Sequence, residues 1–151
     1  MTSMTAAQPR RTGHPGYTLI KPRDPEAAAD ARRLVRVALA VWGLDAETDA
    51  AALLLTELVT NALRHATRGR SIRIIVSRPS DTQVRLAVVD RDPRRVPAMR
   101  AAGPADADGR GLLLVGQLAD RWGYDLMGPA LRPWGKQVWA ELTVGGSGDR
   151  G

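Results

Sequence analysis

Apolar residues recur at helical spacing through two stretches of the chain and alternate with polar ones through several others. Between Ala27 and Trp42 the apolar positions Ala31, Leu34, Val35, Ala38 and Val41 fall three or four apart, one face of a helix. Asp24-Pro25-Glu26 is a helix start, and Gly43 a stop. A second helix is predicted from about Ala46 to Ala66, with Leu54, Leu58 and Leu63 able to reach a core. Ser71 to Ser77 alternates Ile72, Ile74 and Val76 with polar residues, which reads as a strand. Pro79-Ser80-Asp81 reads as a turn, and Gln83 to Val89 as the returning strand. Gly16–Ile20, Trp122–Leu126 and Lys136–Val144 are three further strands. Gly109 to Asp120 reads as a helix packing through Leu112, Val115 and Leu118. Residues 90–108 carry no period of either kind, and a loop of that length inside a domain is usually functional or mobile.

The order β-α-α-β-β-loop-α-β-β predicts an α+β two-layer sandwich, with helices packed on one face of a mixed β-sheet. Residues 16–144 form its domain. Residues 1–15 read as a disordered N-terminal tail, and 145–151 as a flexible C-terminal one.

A chain of 151 residues suits one domain with a real core. With no Phe, that core rests on Leu, Val, Ala and Ile, and the four Trp serve as large fillers. The lack of Cys excludes a disulfide framework and a thiolate metal site. No run approaches the ~18 apolar residues of a membrane span, and Met1 to Arg11 does not resemble a secretory signal. A soluble, cytoplasmic protein with no membrane partner is expected. The net charge is +6, of which residues 67–151 hold +5. Such a balance can attract polyanions. No nucleic-acid-binding signature accompanies it, so a basic surface is the simpler reading and nucleic acid is not the expected partner.

Chemistry concentrates at Glu57, Asn61 and His65, each four residues from the next and so on one helical face. A carboxylate and a carboxamide projecting together are costly to bury without partners. They suit a metal-bound, phosphate-bearing ligand: the amide oxygen meets the cation and the carboxylate polarises a hydroxyl. A solvated polar stripe on an amphipathic helix is the equal alternative. His65 reads as a helix C-terminal residue favourable to the dipole.

Further features follow in order. Asp90 ends the apolar strand Leu86-Ala87-Val88-Val89-Asp90, a long loop leads into Gly109-Arg110-Gly111, and Gly135-Lys136-Gln137-Val138 starts the last strand. Together with Glu57 and Asn61, this resembles the ATP-binding (Bergerat-type) fold shared by DNA gyrase, histidine kinases and heat-shock chaperones. Within that superfamily it most resembles the stand-alone anti-sigma factor serine/threonine kinases, over about residues 17–144. The resemblance implies that Asn61 holds Mg²⁺ and that Glu57 is the base for an attacking hydroxyl. It implies that Asp90 accepts from the adenine amino group. It also implies that Gly109, Arg110 and Gly111 approach phosphate at a helix N-terminus, with residues 91–108 as a lid over ATP.

The chain departs from the family pattern at two places. Asp92 and Arg94 stand where the family has glycines after its aspartate. Lys136 stands where it has threonine, and Gln137 is the candidate to supply the missing hydrogen bond. Arg94, Arg95, Arg100 and Arg110 are read as solvated lid residues with phosphate contact as the alternative. Lys136 is read as reaching a phosphate or as a strand-edge charge, and Asp90 has the alternative of a plain turn former. Trp122, Trp134 and Trp139 are read as packing.

The implied function is an ATP- and Mg²⁺-dependent kinase acting on Ser or Thr of a partner protein. The implied partner is a sigma factor or an anti-anti-sigma factor-like substrate, with a homodimer left open. The rival is a non-catalytic module of the same fold that sequesters its partner.

Overall fold

The computed structural model describes residues 3–6, 14–65, 69–94 and 117–145. The elements are β1 (Ser3–Ala6), β2 (Tyr17–Pro22), α1 (Glu26–Trp42), α2 (Thr48–His65), β3 (Ser71–Ser80), β4 (Gln83–Asp90), β5 (Arg121–Met127) and β6 (Gly135–Thr143). A single 3₁₀ turn, Asp45–Glu47, leads into α2.

Local chemistry sets the ends of α1. Asp24 Oδ1 accepts the Glu26 N–H at 2.9 Å, while Pro25 presets the entry dihedral. At the other end Gly43 takes φ 73°, and Leu44 N–H reaches back to the Leu39 carbonyl at 2.8 Å. Glycine pays no Cβ penalty in that left-handed turn. The inner face of α1 is Ala31, Leu34, Val35, Ala38, Leu39 and Trp42. Val41, expected on that face, is 59% exposed, because the buried stripe turns through Leu39 and Trp42 instead.

Leu54, Leu55, Leu58 and Val59 of α2 join α1 over Ile72, Ile74 and Val76 of β3, Val84, Leu86 and Val88 of β4, and Val138, Ala140 and Leu142 of β6. The two-layer α+β sandwich is therefore as expected. The sheet is not mixed: its order is β1-β2-β3-β4-β6-β5, and every pairing among the described strands is antiparallel. Two helices rather than one lie between β2 and β3, and these neighbours pair antiparallel. β4 and β5 do run parallel, but β6 lies between them.

Two boundaries also differ. Ser3–Ala6, expected in a disordered tail, pairs with β2 from Ser3↔Ile20 to Ala6↔Tyr17. The edge of β2 would otherwise leave a row of backbone groups without partners. Pro79 is not in the turn. It sits in β3 at a register irregularity between Ser77 and Ser80, where proline's missing N–H costs no ladder bond. The hairpin turns at Asp81-Thr82, where Arg78 Nη2 holds the Asp81 carbonyl at 2.8 Å.

β2 and α1 are tied by charge as well as packing. Lys21 Nζ lies 2.6 Å from Asp30 Oδ2, and Arg33 takes the other oxygen. The hydrogen bond from Lys21 is the main reason the Asp30 carboxyl lies below its ordinary range, and the same bond raises Lys21.

Candidate functional site

Asp90 is the last residue of β4 and stands directly opposite Lys136 of β6. Residues opposite one another across a ladder share a face, here the face that Val88 and Val138 present to the helices. The two side chains are 1% and 3% exposed, and Lys136 Nζ lies 3.0 Å from Asp90 Oδ1. The ammonium also donates to the Asp92 backbone carbonyl at 2.5 Å. Lys136 is thus neither a strand-edge charge nor a residue extended toward a phosphate; it is a buried partner of the candidate base-reading carboxylate. Strand alternation turns Gln137 to the opposite, open face of the sheet. The place expected for Gln137 beside Asp90 therefore belongs to Lys136.

The segment after Asp90 explains how the chain manages without the two glycines. Asp90 Oδ1 accepts the Asp92 N–H at 2.8 Å, and Asp92 Oδ1 accepts the Arg94 N–H at 3.2 Å. These are two consecutive Asx turns. Arg94 then closes on its own anchor, with Nε 3.0 Å from Asp92 Oδ1 and Nη2 3.2 Å from Oδ2. Among the described residues no non-glycine has positive φ, so the segment bends without that strain. Asp92 is fully buried, and Arg94, read as a solvated lid residue, is half-exposed and paired with it in this fork. Arg91 leaves the cluster, its guanidinium 5.2 Å from the Trp134 ring centroid.

One atom of the cluster is left over. Asp90 Oδ2 is buried and has no hydrogen-bond partner among the described residues. A buried carboxylate oxygen without a donor is costly, and a ligand N–H would meet that need. This orphan acceptor fits the amino group of a nucleotide base. Gly135 crowds the same place: a Cβ added there would lie 2.2 Å from the Asp90 carbonyl oxygen.

Glu57 and Asn61 are half-buried on α2, which packs over β4 and β6. Neither side chain has a hydrogen bond or ion pair among the described residues. Their neighbours Leu54, Leu58 and Ala62 are buried, so the polar pair flanks the core rather than entering it. Among the described residues no three His, Cys, Asp or Glu side chains group as a metal site. A cation at Asn61 would thus draw its remaining oxygens from ligand and water, as Mg²⁺ commonly does. His65 is the final residue of α2. Gly109, Arg110, Gly111, Arg95 and Arg100 lie outside the described residues, as does most of the expected lid.

The tryptophans do more than fill space. Trp122 is packed against the core, whereas Trp134 is 42% exposed beside Arg91. Trp139 has the guanidinium of Arg85 4.4 Å from its ring centroid and that of Arg121 5.7 Å away. Glu141 ties both arginines together, with Arg85 Nη1 at 3.1 Å and Arg121 Nε at 3.5 Å.

The family model for the histidine kinase-like ATPase domain matches residues 21–141, running from Lys21 of β2 to Glu141 of β6. The chain belongs to this family. Its match takes in Glu57, Asn61, the Asp90–Lys136 pair and Gly135 together. The ATPase domain here is also 33% identical over 75 residues to an uncharacterized protein of Streptomyces coelicolor, covering 49% of this chain and 71% of that one. No helix among the described residues of the domain is long and apolar enough to cross a membrane.

Sequence reasoning missed the Asp90–Lys136 pair. The signal was present as opposite charges at the end of one strand and the start of another. It became readable only once β6, rather than β5, was known to be the neighbour of β4.

Proposed function

We propose that this ATPase domain is a cytoplasmic regulator of the anti-sigma factor kinase type, transferring the γ-phosphate of ATP to a serine or threonine of a partner protein. The observation that carries the reading is the orphan acceptor Asp90 Oδ2, buried at the end of a strand that α2, the helix of Glu57 and Asn61, packs over. Asp90 would take an N–H of the base. Asn61 would give its amide oxygen to Mg²⁺. Glu57 would receive the proton of the incoming hydroxyl. ATP, when bound, supplies the phosphoryl group, whose transfer depends on positioning and charge neutralisation. The partner would be a sigma factor or its anti-anti-sigma factor-like antagonist, the latter carrying the hydroxyl.

A second reading draws on the Asp92–Arg94 fork and on Lys136, which stand where the family pattern has glycines and a threonine. Under it the chain binds and sequesters its partner without turnover. Calorimetric titration of ATP with and without magnesium, on the parent and on Asp90→Asn, tests the nucleotide site. Magnesium-dependent binding lost in Asp90→Asn is the expected result. Following labelled γ-phosphate into a co-purifying partner then separates kinase from binding module.

A further inference from the structure

The orphan oxygen has a neighbour whose chemistry is also incomplete. An ammonium carries three protons. Asp90 Oδ1 takes one from Lys136 and the Asp92 carbonyl takes another. No third acceptor for Lys136 stands among the described residues. Asp90 Oδ1, by contrast, already receives two donors, from Asp92 N–H and Lys136 Nζ. The buried pair therefore offers a ligand one acceptor, Oδ2, and beside it one donor, Nζ.

We propose that Lys136 is a second base-reading residue of this site, donating to the ring nitrogen N1 of adenine while Asp90 Oδ2 accepts from the N6 amino group. The inference rests on the nucleotide-binding reading above. An adjacent acceptor and donor match the amino group and N1 of a 6-aminopurine. Guanine could meet the same pair through N1–H and O6, so the test of adenine is the acceptor at N1 itself. Threonine, which the family pattern has at this position, offers a neutral hydroxyl; lysine offers a charged donor, which makes the stronger hydrogen bond. The contact is consistent with the close backbone packing of Gly135 on Asp90, which holds the two strand ends together.

The experiment pairs a ligand deletion with a protein deletion and reads affinity alone. Calorimetry compares ATP, GTP and 1-deaza-ATP, which has C–H in place of N1, on the parent and on Lys136→Met. Lys136→Val, which also lacks a donor, takes the place of that variant if it does not fold. The parent should bind ATP about tenfold or more tighter than 1-deaza-ATP, as expected for a lost hydrogen bond to a charged group. In the variant that difference should collapse toward unity. An equal 1-deaza penalty in parent and variant, or none in the parent, overturns the role of Lys136 while leaving ATP binding intact. GTP bound more tightly than ATP, with that preference lost in the variant, overturns the assignment to adenine. No ATP binding by the parent overturns the nucleotide reading itself and the inference with it.

Discussion

Lys136 and Asp90 face each other across β6 and β4 as a nearly dry ion pair, 3.0 Å apart. Breaking a buried pair strands one charge and typically costs about 3–5 kcal/mol, whereas replacing both partners by apolar residues is often neutral. Lys136→Met should therefore lower unfolding stability by about that amount, and Asp90→Leu with Lys136→Met should recover most of it. Urea denaturation of the two chains beside the parent checks this. A double variant no more stable than the single would mean that the pair does not account for the loss.

Gly135→Ala should weaken nucleotide binding and stability together. The new methyl would meet the Asp90 carbonyl, a backbone atom of a central strand, rather than a side chain that can swing away. Gly43→Ala is the contrasting control. No atom lies within 4 Å of the added methyl, so its penalty is the left-handed φ of 73° alone, about 1–2 kcal/mol. Thermal melts and ATP titrations of both variants separate the two causes.

Asn61→Ala should remove the magnesium dependence of ATP binding more than binding itself. The side chain is asked for one oxygen of the cation's shell, with phosphates and water giving the rest. Titrating the variant with ATP at high and zero magnesium measures it. A magnesium effect as large as the parent's would exclude Asn61 as the ligand.

Glu57→Ala should keep nucleotide and partner binding and lose phosphoryl transfer by about 10²–10⁴-fold, the usual contribution of a positioned general base. Labelled phosphate transfer with parent and variant side by side reads this out. Transfer at the parent's rate would remove Glu57 from the role.

Stability should depend on pH through the link between β2 and α1. The Asp30 carboxyl is lowered by Lys21 and Arg33, so its contribution is present above the ordinary value of 3.8 and fades as pH falls through the lower folded value. Lys21 is raised by Asp30, and to a lesser degree by Asp24 and Glu26. Its contribution is full below 10.5 and fades as pH rises through the higher folded value. Melting temperatures from pH 2 to 12 should drop at both ends, and Asp30→Asn should flatten both limbs.

The helices and inner strands were legible because their signals are local and redundant. Ile72, Ile74 and Val76 alternate cleanly, and Asp24, Pro25 and Gly43 punctuate α1. What could not be read depended on distant partners. β1 is a strand only because β2 needs an edge neighbour. The antiparallel sheet follows from β6 entering between β4 and β5, a matter of topology rather than propensity. At the site, Glu57, Asn61 and Asp90 were proposed from residue type and position. Lys136 was misread because its charge looked like that of a solvated strand end, and only the cross-strand register places it against Asp90.

The place of β4 in the sheet has a dynamic consequence. Its partners β3 and β6 bracket it on both sides, while β1 and β5 are the outer strands. Backbone amides bonded on both edges exchange with solvent only when a large unit opens, whereas those of outer strands exchange through local fraying. Asp90 is thus carried by the part of the sheet with the slowest expected hydrogen–deuterium exchange. A nucleotide base would meet a carboxylate whose position is already held by the central strands before it arrives.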